Sequence, residues 1–198
     1  MRKALFIAAL VSLLAAFIVG TLLHTARKEE QTVALTGAKR TALVRMHSPA
    51  LGNAGAPVVI VEFLDPACET CRAFYPLVKQ MMAANPDLIR LVLRHAPFHD
   101  GSDKVVAVLE AARKQGKFWQ ALEALLAAQP GWVMQHKPQV ALVWQHLEGL
   151  GLDLERMRAD MASPEIASLI AQDLADARTL GVTKTPEFFV NGRPLPEF

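Results

Sequence analysis

The chain of 198 residues has only two cysteines, one tyrosine and three tryptophans, and it contains no internal repeat and no low-complexity tract. That leaves an ordinary single domain with an additional segment as the organisation its length suits. A surplus of one charge sign is also missing, with 21 Lys/Arg against 19 Asp/Glu. The small basic excess sits in residues 1–40, which carry six Lys/Arg and two Asp/Glu, whereas the remainder carries fifteen and seventeen. A mildly acidic globular part argues against nucleic acid as a partner.

Charge is absent altogether from Ala4 to Leu23, a run of 20 residues flanked by Arg2 and Lys3 before it and Arg27 and Lys28 after it. A helix of that length spans about 30 Å, the thickness of a bilayer's hydrocarbon core. A cleaved secretory signal would have a shorter apolar run followed by a small-x-small site, and no such site stands at its end. The length therefore predicts an uncleaved transmembrane anchor, with a cleaved signal as the alternative. Either reading places the rest outside the cytoplasm, while basic residues on both flanks leave orientation undecided.

Five segments follow: residues 1–25 as anchor or signal, 26–55 as a polar linker with a short first strand around Leu43 to Met46, and then 56–100, 101–180 and 181–198. In the third, Val58 to Leu64 is a β-branched apolar run of the kind buried on both faces of a sheet. A helix comes next, with Phe74, Leu77, Val78, Met81 and Met82 at helical spacing until Asn85-Pro86 stops it, and then a second strand in "LIRLVLRHAP". Strand, helix and strand in that order predict a parallel βαβ unit. The fourth segment reads as helices only, interrupted at Gly116, with stops at Gly149 and Gly181 and N-caps at Asp153 and at Ser163, the latter followed by Pro164. The last reads as a strand, an Asn191-Gly192 turn and the start of a second strand.

The two cysteines stand together in "EFLDPACETCRAFYP" as Cys68 and Cys71. Such a pair fits a redox couple, half a metal site or a staple. The staple is the poorest reading, because so short a loop removes little chain entropy. Cys68 falls just after a buried strand, at the first turn of a helix, where free N–H groups and the helix dipole stabilise a thiolate. Cys71, one turn on, lies on the same side and within reach of the first sulfur. The rival metal reading draws on His95 and His99, spaced H-x3-H, although solvated loop histidines are commoner. His24, His47, His136 and His146 show no partnering pattern and read as surface residues. Trp119, Trp132 and Trp144, with Phe118, read as core of the helical segment. Of Phe188 and Phe189, alternating on a strand, one is expected inward and the other towards the groove beside the cysteines.

With these residues in view, the chain resembles thiol–disulfide oxidoreductases of the thioredoxin-fold superfamily, specifically DsbA-like members. The resemblance covers about Pro57 to Phe198. It rests on Glu62 six residues before Cys68, Pro76 eight after it, "VTKTPEFFVNG" with Thr185 before Pro186, and "GKFWQALEALL" as the inserted helical bundle. It implies an α/β thioredoxin fold with an inserted all-helical domain at 101–180, its first half at 56–100 and its second at 181–198, preceded by an N-terminal transmembrane helix. It also implies Cys68 as nucleophile, Cys71 as resolving thiol and Glu62 as a buried acid serving the resolving cysteine's proton. Pro186 would be cis, with the Thr185 backbone offered to a substrate peptide for strand addition.

Glu69 and Thr70 occupy the positions that tune redox potential in this family. Glu69 beside Cys68 should disfavour the thiolate and make the pair less oxidising. Thr185 departs from the bulky aliphatic residue of the archetypal oxidase and is more like the isomerase and reductase branches. The expected chemistry is dithiol–disulfide exchange with exported cysteine-containing proteins. Oxidation is the favoured direction, and reduction or isomerisation, or a non-catalytic metal-binding or adaptor module, the alternatives. The expected cofactor is none beyond the redox-active disulfide, the metal none, and the partners a membrane or periplasmic redox protein and the bilayer through residues 4–23. The linker is too short for a dimerisation domain, so a monomer is expected. The family usually continues past "GRPLPEF" with a helix, whose lack would leave one sheet face uncovered.

Overall fold

The structure, a computed structural model, describes residues 19–21 and 37–195. The chain divides into two units, residues 1–35 and 36–198. The apolar run predicted to cross a membrane lies outside the described residues except for residues 19–21, which are helical. Among the described residues no helix is long and apolar enough to span a bilayer.

Val58–Leu64 forms strand β2, and Ile89–His95 forms β3, joined by helix α2 at Glu69–Ala84. The two strands pair in parallel with Glu62 opposite Leu93, as a βαβ unit requires. On the other side of β2 runs the antiparallel β6, Glu187–Val190, which places Phe188 opposite Glu62. Asn191 and Gly192, both at positive φ, turn the chain into β7, Arg193–Pro194. A short β1 at Ala50–Leu51 completes the sheet antiparallel to β3, in the order β1-β3-β2-β6-β7.

Alternation along β2 divides its side chains between two layers. Ile60 and Leu64 join Leu91 and Leu93 of β3, Cys71, Tyr75 and Val78 of α2, and the buried faces of α3 (Ser102–Lys114) and α4 (Phe118–Ala127) in the main core. Gly116, at φ 71°, makes the break between α3 and α4 that the sequence predicts. The segment 101–180 is not all helical as expected: a two-stranded ribbon, β4 (Val133–Met134) with β5 (Lys137–Pro138), interrupts it before α5 (Val140–Val143), α6 (Leu154–Asp160) and α7 (Pro164–Leu180). Asp153 caps α6 by accepting from the Arg156 N–H, and Ser163 caps α7 by accepting from the Ile166 N–H. Gly181 closes α7 in the left-handed conformation.

The other sheet face corrects several expectations. Residues 37–51 are not linker: Gly37–Leu43 is a helix, α1, whose Ala42 and Leu43 are buried and which packs on α7. The first strand lies at Ala50–Leu51 rather than Leu43 to Met46. Val61, Phe63, Val92 and Phe189 on this face are buried, together with Ala177 of α7 and Val182 after it, so the face is not left uncovered. Phe188 and Phe189 are thus both interior, on opposite sides, Phe188 against Phe74 and Phe189 edge-on to Phe63. Leu77 and Met81 face outwards although their spacing is helical, because α2 buries only the strip through Cys71, Tyr75 and Val78.

A charged cluster locks α7 to this face. The fully buried Arg94 of β3 donates from Nη2 to Asp173 Oδ1 at 2.7 Å and to Asp176 Oδ2 at 2.6 Å, and from Nη1 to the Ala42 carbonyl. Arg45 adds a two-pronged bond to Asp176, and His47 lies 2.7 Å from Asp173, so His47 is not an unpartnered surface residue. Burial pushes the Asp173 carboxyl up, but the His47 hydrogen bond and the His95 and Arg94 charges outweigh it and hold Asp173 below the usual carboxylate range. Every charge in the cluster has a partner of opposite sign, the condition under which buried charge is tolerated.

Candidate active site

β2 delivers two groups to its C-terminal end. Glu62 points into the main core, fully buried, with neither carboxyl oxygen hydrogen-bonded. Asp65, just past the strand, organises the loops around the cysteines. Its Oδ1 accepts from the Ala67 N–H, and its Oδ2 from the Phe98 and His99 N–H groups and the Ser102 hydroxyl. The Asp65 carbonyl accepts from the Cys68 N–H at 3.0 Å.

Cys68 is the N-cap of α2, with extended backbone geometry, and its Sγ accepts from the Cys71 N–H at 3.4 Å. The side-chain hydrogen bond from Cys71 lowers the Cys68 thiol to about 5 against the opposing effect of burial, with help from Thr185 and from the amides of Cys71 and Thr70. Cys71 is fully buried, and burial first, then its bond to Cys68, drive its thiol far above the ordinary range. Glu62 is pushed up to about 8 by burial and secondarily by the Cys68 charge. At neutral pH the site therefore holds one thiolate, on Cys68, and two protons, on Cys71 and Glu62. An outer nucleophile and an inner protonated thiol beside a proton-bearing carboxyl are what thiol–disulfide exchange asks for.

The predicted partners converge from a distant part of the chain. The Thr185–Pro186 peptide bond is cis, and Cys68 Sγ lies 3.2 Å from the Thr185 carbonyl oxygen. Glu69 and Thr70 are solvent-exposed on the first turn of α2. The direction of the Cys68 shift is set by the Cys71 side-chain hydrogen bond first, against burial, and then by Thr185 and the helix N-terminal amides, and Glu69 is not among its causes. Pro76 sits within α2, exposed on its outer side.

Other residues join the site without having been foreseen. Gln129, in the helical insertion, donates from Nε2 to the Pro66 and Cys68 carbonyls and accepts from Arg72 Nε. His99 presents Nδ1 to Asp65 Oδ2 at 2.8 Å and stacks on His136 at 6.3 Å between ring centres. Both histidines line an open pocket of about 370 Å³ shared with Cys68, Glu69, Thr70 and Lys184. For Asp65 the local signal was present, an Asp-Pro turn immediately after a strand. For Gln129 there was none, because its partners lie about 60 residues away.

His95 and His99, linked in the sequence by their H-x3-H spacing, turn to different partners. His95 is buried against Glu110, 2.8 Å from its Oε1, while His99 turns to Asp65. Among the described residues no group of three His, Cys, Asp or Glu side chains converges to hold a metal. Of the tryptophans, Trp132 is fully buried and donates from Nε1 to the Leu125 carbonyl, while Trp119 and Trp144 pack at the edge of the core.

A sheet of this order, a dithiol at the N-terminus of the helix after β2, and a cis-proline against the outer sulfur define a thioredoxin-fold dithiol domain. The thioredoxin family profile matches residues 45–197, and the chain belongs to that family. Among solved structures, a thioredoxin-like oxidoreductase from Silicibacter pomeroyi is 35% identical with a TM-score of 0.70, over 80% of this chain and 89% of that one. The thiol-disulfide exchange protein α-DsbA2 of Wolbachia pipientis shares the fold at 21% identity and a TM-score of 0.67, over 78% and 82%. Among curated relatives, the Na(+)/H(+) antiporter NhaA 3 of Salinispora tropica is 36% identical over 145 residues, 72% of this chain and 21% of that protein. The chain thus spans about a fifth of the length of the curated relatives it matches.

Proposed function

We propose that the protein is a thiol–disulfide oxidoreductase that forms disulfides in exported proteins by exchange at Cys68 and Cys71. The observation that carries this reading is the unequal placement of the two sulfurs: Cys68 caps α2, accepts from the Cys71 N–H and lies against the cis Thr185–Pro186 segment, while Cys71 is fully buried, an arrangement that lowers the first thiol and raises the second. A stabilised thiolate favours the reduced form of the pair, which makes the disulfide form an oxidant. The names of the Silicibacter and Wolbachia proteins, an oxidoreductase and an exchange protein, agree with the chemistry. The antiporter name belongs to proteins of which this chain covers about a fifth, and the proposed activity is that of the matched segment.

In the oxidised enzyme a substrate thiolate attacks Cys68 Sγ, the Cys68–Cys71 bond breaks, and Cys71 takes a proton from Glu62. The substrate's second thiolate then attacks its own sulfur in the mixed disulfide, and Cys68 leaves as a thiolate. The substrate backbone pairs with the exposed Thr185 segment while this happens. We place the reaction on the extracytoplasmic side of a membrane, the chain held there by residues 4–23 and working as a monomer that a membrane or periplasmic redox partner recycles. Equilibration with glutathione tests the direction. A reduction potential between that of protein disulfide isomerase, about −180 mV, and that of DsbA, about −120 mV, supports the oxidase; a value near thioredoxin's, about −270 mV, overturns it. Reduction or isomerisation is the second reading, favoured by Glu69 beside the nucleophile and by Thr185 before the cis-proline.

A further inference from the structure

Asp65 is fully buried, and one of its oxygens, Oδ2, accepts from two backbone N–H groups and the Ser102 hydroxyl. The same oxygen lies 2.8 Å from His99 Nδ1. An acceptor so placed fixes the imidazole's tautomer, with the proton on Nδ1 directed at the carboxylate. Nε2, on the opposite side of the ring, is then the nitrogen left to the pocket that His99 shares with Cys68. The ring is about a quarter exposed, wedged between the buried Asp65 and the stacked ring of His136. A carboxylate that orients a histidine lining the same pocket as a sulfur nucleophile has the layout of a base and its orienting group. Glu62 cannot fill this role on the substrate side, because it is buried beneath the cysteines and shielded from the pocket.

We propose that His99, oriented by Asp65, is a catalytic acid–base for the substrate sulfur; this rests on the exchange reading above. In the oxidising direction Nε2 takes the proton from the substrate thiol as its sulfur bonds to Cys68 Sγ and the Cys68–Cys71 bond breaks, Cys71 leaving with a proton from Glu62. When the substrate's second sulfur, its proton lost to water, closes the new disulfide, Cys68 leaves as a thiolate, and Glu62 regains a proton from water. Two electrons have then passed to the enzyme pair, and the proton on His99 is released to water. In reverse, the Cys68 thiolate attacks a substrate disulfide, its S–S bond breaks, and protonated His99 delivers the proton to the departing sulfur. The assignment therefore holds whichever way the electrons run. It gives the protein two separate proton carriers, Glu62 for the inner sulfur and His99 for the foreign one.

His99→Asn keeps an N–H near the position of Nδ1 for Asp65 but removes Nε2. The test reacts reduced wild type and variant with two uncharged disulfides, bis(2-hydroxyethyl) disulfide and bis(4-nitrophenyl) disulfide. The departing alkyl thiolate is strongly basic and needs a proton, whereas the aryl thiolate leaves readily without one. The variant is expected to lose about 10²-fold with the alkyl disulfide, the low end of what a positioned acid contributes, and about threefold or less with the aryl one. Equal losses, or no loss with the alkyl disulfide, overturn the proposal. So does a change in the pH-dependent alkylation of Cys68 as large as the loss in exchange, since His99 would then act only through Cys68. Wild type that reduces neither disulfide removes the exchange reading itself, a result distinct from any change in the ratio.

Discussion

Cys68 Sγ lies 3.2 Å from the carbonyl oxygen of Thr185, a residue 117 positions further along the chain. The two meet because β6, which Thr185 leads into, pairs antiparallel with the strand that leads to Cys68. The sulfur is thus presented beside the Thr185 backbone, so that on the proposed function chemistry and substrate binding would share one edge. While protonated the sulfur donates to that carbonyl; once ionised it depends on the N–H groups of α2.

The thiolate itself is measurable. Iodoacetamide reacting with reduced protein should follow a titration with a midpoint of about 5, one alkyl group entering at Cys68 and none at the buried Cys71. A midpoint in the ordinary thiol range, about 8.5, would remove the physical basis for calling Cys68 the nucleophile.

The cysteines should fail in different ways when replaced. Cys68→Ala abolishes exchange with protein disulfides. Cys71→Ala keeps the attacking sulfur but cannot resolve the adduct, so mixed disulfides accumulate and appear on non-reducing gels and in intact mass. If the Cys71 variant traps nothing and the Cys68 variant does, the two roles are reversed.

Glu62 makes a prediction about pH. Its folded-state value of about 8 exceeds the ordinary 4.5, so between these values the folded protein holds a proton the unfolded chain has released. Stability from this group is therefore full below pH 4.5 and lost as pH rises towards 8. Cys68 has the opposite sign in the reduced form: its depressed value contributes stability that is full above pH 9 and lost as pH falls through about 5. In the oxidised protein, which has no Cys68 thiolate, the Glu62 decline should stand alone, and Glu62→Gln should flatten it in denaturant melts taken across pH 5 to 8. The same variant should slow breaking of the Cys68–Cys71 disulfide by about 10²-fold. An unchanged pH slope would show that Glu62 does not carry the proton.

Asp173→Ala tests the cluster that holds α7 to β3. Removing one carboxylate leaves Arg94 buried with Asp176 as its remaining counter-charge, a change expected to cost about 3–5 kcal/mol. Thermal melts should show the loss without a change in the Cys68 titration. A cost under about 1 kcal/mol would mean that water or a shifted side chain satisfies the guanidinium instead.

Much of the site was legible because its signals are local. Cys68 and Cys71 lie within one turn and helix, where spacing translates directly into geometry, whereas Glu62 took its role from the family resemblance. Thr185-Pro186 was legible only through the family resemblance, since nothing in a lone proline announces a cis bond. Arg94 read as one more residue of a second strand, because its partners are 79 and 82 positions away on α7 and charge pairing at that range leaves no periodic trace. Residues 37–51 read as linker for a related reason: α1 is short and polar in composition, and Ala42 and Leu43 acquire their burial only from packing against α7. His95 and His99 were linked by a spacing that their strand and loop positions then separated, one turned to Glu110 and the other to Asp65.

Gln129 ties the helical insertion to both sides of the nucleophile's loop through its bonds to the Pro66 and Cys68 carbonyls and to Arg72. Any swing of the insertion away from the sheet must break all three contacts at once, and two of them are buried. The insertion then works as a brace and not as a jaw. On the proposed function, substrate proteins of different shapes would have to bring their own flexibility to a fixed site, so exchange should be fastest while a substrate is still unfolded.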